Sequence, residues 1–282
     1  LYLAQYFDAP PTDYSFLPGC LDNILVNIGR LLDMLAQHGI YRTFLPSYSE
    51  TQLKQRHRQA HLFLLKGLEG LTSHPRILEA YIRSGYEVRF YGEMSDLPEE
   101  LVPDMTNPPR LFSGKPKHYV YYGVDAGNPH NYIFQLSHQF SLTHGRAPGW
   151  EDMLELYYGD RTLKPLDMLV AFNRIYARLG VPPLLDGQDR IYATPVTPMA
   201  LTETAFRKIL YDYLYHYQDV GRDYLNLHPN ELQRLKHYYA ANEDSVMGLL
   251  HKYEDLTYAL PAPNWPEEMD LIAEPVRLPG RV

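Results

Sequence analysis

The chain has 282 residues, 45% of them hydrophobic and 21% charged, with a formal net charge of -8. That mix suits a soluble α/β domain with a sizeable core, and the acidic balance without a Lys/Arg run excludes a nucleic-acid footprint. The single cysteine, Cys20, excludes a disulfide framework and fits a reducing, cytoplasmic setting, and no apolar run is long enough to span a membrane.

Leu1 to Phe7 reads as an extended apolar piece, and Pro10 and Pro11 forbid helix in the loop after it. Asp13 and Tyr14 lie in that loop, either as turn residues or as polar groups over a ligand. Leu21 to Gln37 has apolar residues at a 3.6-residue rhythm and predicts a helix that Gly39 ends. Ile40 to Leu45 predicts a strand, and Gln52 to Leu71 a long helix. Arg56 and Arg58 sit early in that helix, where a cation opposes the helix dipole and points to an anionic partner or to solvent exposure. His57 and His61 have ligand spacing but lack an HExxH frame, so no metal is assigned to them.

His74 to Ser84 predicts a helix stopped by Gly85, and Tyr86 to Gly92 a strand. Helix, glycine and strand have now recurred, which argues for βαβ construction. The 103–116 region reads as a surface connection, Lys117 to Val124 as a strand, and Asp125 to Asn128 as the turn at its end. Asn131 to His144 and Pro148 to Tyr157 predict helices. Leu166 to Arg174 and Arg190 to Val196 read as strands, followed by a helix from Leu201 to Tyr217. That order puts polar residues at strand ends and on a first helical turn, where open α/β sheets hold their ligands. Pro229 to Tyr258 carries a long helical signal, and a proline-rich tail covers 261–282. The fold expected is one α/β domain over 1–260, with a central, mostly parallel sheet and helices on both faces. The 25 Tyr residues suit a pocket, a Tyr-rich core or a subunit interface equally well.

Several chemistries are missing. There is no GxxxxGK[ST] loop, no GxGxxG fingerprint after a strand, no GxSxG elbow, no Cys/His cluster and no DDxxD run. The Asp, Glu, Arg, Ser and Tyr residues that remain suit an anionic leaving group held by Arg and hydroxyls, with Asp or Tyr as base.

Thr143-His144-Gly145-Arg146-Ala147-Pro148, Tyr157-Tyr158-Gly159, Asp167-Met168, Phe172 with Arg174, Leu201-Thr202-Glu203-Thr204 and Arg207-Lys208-Ile209-Leu210-Tyr211-Asp212 follow one another in an informative order. Together with Gln37-His38-Gly39-Ile40 and Phe90-Tyr91-Gly92-Glu93, they resemble the cis-prenyltransferase superfamily, in its tuberculosinyl adenosine transferase or diterpene synthase branch. The resemblance runs from about Tyr14 to His216. Elongating members carry an Arg where Ala171 stands here, so the resemblance implies ionisation of a diphosphate rather than chain elongation. The family's Asp-Gly motif with its trailing Arg residues is absent. Leu1-Tyr2 resembles the segment directly after that motif, so either the motif precedes Leu1 in the natural chain or it has been lost.

The resemblance implies a terpene synthase or prenyl transferase. Its substrate would be an allylic prenyl diphosphate of fifteen to twenty carbons, and the cation would be quenched by water, a nucleoside acceptor or proton loss. Tyr14, Arg174 and Glu203 are the expected catalytic residues. Ser49, Glu50, Arg56 and Arg207 are expected around the diphosphate, and Leu62, Phe90, Tyr122 and Phe172 along the apolar chain. A magnesium ion is expected with the diphosphate, its protein ligands unassigned, and a homodimer is expected. The alternatives are a non-catalytic prenyl-binding or scaffold subunit and an isopentenyl-adding cis-prenyltransferase.

Overall fold

The structure, a computed structural model, describes residues 17–49, 58–111, 113–125, 128–172, 182–187, 190–216, 228–230, 233, 250–253 and 256–259. It is a mixed α/β fold whose described residues form two compact units. The larger unit takes in the described elements up to Leu169, together with the described parts of 176–191 and 197–203.

In that unit, α1 (Leu17–Gln37) starts a turn earlier than its apolar rhythm predicts. Pro18 lies in its first turn, where a missing N–H costs nothing. β1 (Arg42–Ser49) runs four residues beyond the expected Leu45. Pro46 lies inside it, which is tolerated because β1 has a single neighbour, β3, among the described strands. The helices α2 (Arg58–Ser73) and α3 (Pro75–Ser84) precede β2 (Tyr86–Tyr91). Gly85 ends α3 in the left-handed region at φ 69°, where its N–H reaches the Tyr81 and Ile82 carbonyls. A short helix, α4 (Val102–Thr106), stands within the expected surface connection, and it buries Met105 beside Leu97 and Leu101. β3 (His118–Asp125) is followed by α5 (Pro129–His144) and α6 (Trp150–Tyr158). Asn128 caps α5 by accepting from the His130 N–H at 2.9 Å.

The three strands form a parallel sheet in the order β1-β3-β2. Side chains of the central strand alternate between two cores. Val120, Tyr122 and Val124 face Leu25 and Leu32 of α1, Leu68 of α2 and Ile77 and Tyr81 of α3. Tyr119 and Tyr121 face the other way, toward Leu154, Tyr157 and Tyr158 of α6 and Ile133 and Leu136 of α5. Helices therefore cover both faces, as expected of a parallel sheet. Much of the tyrosine content lies here: Tyr81, Tyr86, Tyr121, Tyr122 and Tyr158 are among the largest buried side chains.

The smaller unit holds most of β4 (Met168–Phe172) and β5 (Arg190–Thr194), which form a separate two-stranded sheet. It also holds most of α7 (Glu203–Tyr211), the π-helical turn Asp212–His216, and the antiparallel pair β6 (Leu250–Tyr253) and β7 (Leu256–Ala259). That pair corrects the helix expected through Tyr258. Leu250 pairs with Ala259 and Tyr253 with Leu256, and the Tyr and Thr residues of these segments favour extended backbone. The tail expected over 261–282 lies outside the described residues.

Candidate active site at the carboxyl edge of the sheet

Parallel strands place their carboxyl ends on one edge, and three chain segments meet there. β1 ends at Ser49, β2 at Tyr91 with Gly92 and Glu93 beyond it, and β3 at Asp125. Ser49 and Asp125 are neighbours because of an irregularity in β1. Pro46 opposes Gly123 but Tyr48 opposes Val124, so Ser47 is an extra residue, its hydroxyl turned back to the Leu45 carbonyl at 2.9 Å. The bulge brings Ser49 opposite Asp125; without it Tyr48 would stand there.

Asp125 is half-buried. Its Oδ1 accepts from the Tyr157 hydroxyl at 2.8 Å, and the Glu93 backbone N–H also donates to the carboxylate. Burial pushes the carboxyl above its ordinary range, against the pull of those two bonds, and the Glu93 charge adds to the rise. Burial also holds the Tyr91, Tyr157 and Tyr158 phenols protonated, with the Asp125 charge contributing to each. Gly92 makes room for this arrangement. Its φ is 102°, and a Cβ there would stand 2.5 Å from Asp125 Oδ1 and from the Val124 carbonyl oxygen.

At the opposite, amino-terminal end of the sheet, Asp160 gathers a structural network. It accepts from Tyr121 at 2.7 Å and from the Thr162 hydroxyl at 2.6 Å, and it lies 3.4 Å from Arg42 and 3.3 Å from Arg89. Burial raises its carboxyl, but the Thr162 and Tyr121 bonds and the Arg42 charge outweigh that and leave it below the usual range.

The expected site residues divide among these places. Ser49 is at the carboxyl edge, beside Asp125. Phe90, near the end of β2, turns to the α1–α3 face, where its ring centroid lies 5.5 Å from that of Tyr122. Leu62, on α2, is exposed. Tyr122, expected along the apolar chain, lies in the core between the sheet and α3. It is fully enclosed, and its hydroxyl bonds to Tyr81 at 2.8 Å, because α3 fills the space in front of it. Glu203 is 3.5 Å from His38, which follows α1 and precedes β1 at the amino-terminal end, so the larger unit does not bring Glu203 to Ser49. In the smaller unit, Phe172 ends β4, and Arg207 lines an open groove of about 620 Å³ with Thr204, Lys208, Tyr211 and Asp212. Tyr14, Glu50, Arg56 and Arg174 lie outside the described residues. The reading along the sequence missed Asp125 as a site residue. Its signal was an acidic residue closing an apolar strand, which looks the same as the start of an ordinary turn.

No family model matches the chain. It is 29% identical over 241 residues to tuberculosinyl adenosine transferase of Mycobacterium tuberculosis (strain CDC 1551 / Oshkosh), a match covering 82% of this chain and 79% of that enzyme. Its fold resembles lavandulyl diphosphate synthase from Lavandula x intermedia in complex with dimethylallyl diphosphate, with TM-score 0.60, 15% identity, and 72% of this chain and 88% of that one covered. It also resembles a probable undecaprenyl diphosphate synthase from Campylobacter jejuni, with TM-score 0.56, 14% identity, and 69% and 91% covered.

Proposed function

We propose that this chain, a homologue of tuberculosinyl adenosine transferase with the cis-prenyltransferase-type fold, is an enzyme acting on prenyl diphosphates. Its substrate is an allylic diphosphate of fifteen to twenty carbons. It breaks the carbon–oxygen bond, releases diphosphate, and passes the cation to water or a nucleoside, or quenches it by proton loss. The observation that carries this reading is the 241-residue match to an enzyme named for joining a tuberculosinyl group to adenosine.

The departing diphosphate gains charge as the bond breaks, so donors at its final position stabilise the transition state more than the ground state. Ser49 supplies a hydroxyl at the carboxyl edge, and Arg207 keeps the diphosphate role that the family resemblance implies. Leu62, Phe90 and Phe172 are the apolar contacts assigned to the prenyl chain. Tyr14, Glu50, Arg56 and Arg174 keep the roles that the family resemblance implies. Glu203, paired with His38, is assigned a positioning part.

Magnesium is proposed to come with the diphosphate. Among the described residues no group of three or more His, Cys, Asp or Glu residues forms a cage for it. The ion commonly takes only one or two carboxylates besides phosphate oxygens and water. A homodimer is proposed from the exposed Tyr211, Leu214 and Tyr215 of α7 and its π-helical extension; a monomer mass in light scattering would remove that claim.

The test is incubation of the protein with its native N-terminus and ten-, fifteen- and twenty-carbon allylic diphosphates, one of them bicyclic, with and without magnesium. A hydrolysed, eliminated or nucleoside-linked product supports the reading. Incorporation of labelled isopentenyl diphosphate would establish elongation instead, and inertness toward every substrate would point to a binding subunit.

A further inference from the structure

Quenching a carbocation with water, or by loss of a neighbouring hydrogen, releases one proton. We propose that the Asp125 carboxylate is the group that accepts it, held in place by the Tyr157 hydroxyl and the Glu93 N–H. This assignment rests on the function proposed above.

Four observations converge on Asp125. It closes the central strand at the carboxyl edge, where open α/β sheets hold ligands. The bulge at Ser47 sets Ser49 beside it. Gly92 leaves the carboxylate a space that any side chain would invade. Among the described residues no Lys, Arg or His forms an ion pair with this half-buried carboxylate, which the Tyr157 hydroxyl and the Glu93 N–H hold instead. Asp160 shows the contrast: two guanidiniums stand beside it. The groups facing Asp125 are Ser49 of β1, Tyr91 of β2, Glu93 beyond it, and Tyr157 and Tyr158 of α6. Burial keeps the three phenols protonated, and the Asp125 carboxyl is pushed above its ordinary range.

The allylic carbon–oxygen bond breaks and its electron pair leaves with diphosphate. A lone pair of water forms the new carbon–oxygen bond, and the oxonium proton passes to Asp125 while the O–H pair stays on oxygen. In the elimination branch, a C–H bond next to the cation supplies the pair for a new double bond, and the same carboxylate takes the proton. Partial exposure lets Asp125 return the proton to solvent.

The experiment uses the native-start protein and a C20 allylic diphosphate carrying heavy oxygen at the bridging position. Product formation is measured together with migration of the label into non-bridging positions of recovered substrate. Asp125→Asn is expected to lower product formation on the order of a hundredfold. Label migration is expected to persist, because ionisation recurs without being quenched. Loss of product and migration together would place Asp125 before ionisation and overturn the assignment, as would undiminished product. Tyr157→Phe gives an independent readout. That hydroxyl lowers the Asp125 pKa, so removing it should move the acid limb of the pH–rate profile to higher pH. If Asp125→Asn does not fold, an unmoved limb in Tyr157→Phe overturns the assignment by itself. Wild-type protein that turns over no diphosphate overturns the proposed function and this assignment with it. Wild-type turnover with an unaffected Asp125→Asn overturns this assignment alone.

Discussion

Gly92 and Asp125 compete for the same few cubic ångströms. An added methyl at Gly92 would meet the Val124 backbone, which cannot swing aside, and the residue's φ of 102° is itself unfavourable for an L side chain. Gly92→Ala should therefore cost about 1–3 kcal/mol of stability, measured as a lowered urea midpoint at unchanged slope. An unchanged midpoint would mean that this turn is not built as described. Tyr122 gives a second test. A core phenol bonded to Tyr81 predicts that Tyr122→Phe loses about 1 kcal/mol of stability and leaves KM unchanged. A raised KM with unaltered stability would return Tyr122 to the substrate groove. Asp160 carries a pH prediction. Its carboxyl is depressed in the folded chain, so its stabilisation is present above the unfolded carboxyl range near pH 4. That stabilisation fades as pH falls through the depressed value. Asp160→Asn should flatten the acid side of a stability–pH curve; a curve as steep as the wild type's would remove Asp160 from that role.

At the scale of elements, the regular helices and strands were legible because their signals are local. α3 announced itself through the stop at Gly85, and β3 through an apolar run bounded by Lys117 and a turn. Three features were not legible, each for a physical reason. The bulge at Ser47 follows Pro46, but its place in the register is set by pairing with β3. The antiparallel pairing of β6 with β7 replaced a helical rhythm, its Tyr and Thr residues favouring extended backbone. The role of Asp125 depends on Tyr157, 32 positions away, and on Gly92. Ser49, by contrast, was marked by the family resemblance, though the partner it meets there was not. The two cores allow a test of the layer assignment. Leu154 of α6 is wholly buried against the Tyr121 face, so Leu154→Ala should cost about 2–5 kcal/mol in chemical denaturation. A near-neutral effect would mean that α6 does not pack there.

For the whole molecule, the fold followed from the recurring order of helix, glycine and strand, and the family resemblance from the order of several weak motifs rather than from any strong one. The proposed reaction rests on that order, on the homology, and on an edge of the sheet where hydroxyl, carboxylate and glycine meet. Arg174, implied by the resemblance alone, supplies a simple kinetic check. Arg174→Ala should lower turnover about tenfold, or about 1.4 kcal/mol of transition-state stabilisation, and unchanged turnover would leave it a structural residue.

The most direct measurement of the central claim is a count of diphosphate released from a C20 allylic diphosphate with no isopentenyl diphosphate in the reaction. Ionisation followed by quenching predicts one diphosphate for each substrate consumed, with the carbon chain recovered at its original length. No release under those conditions, with release restored and the chain lengthened only when isopentenyl diphosphate is added, would contradict it.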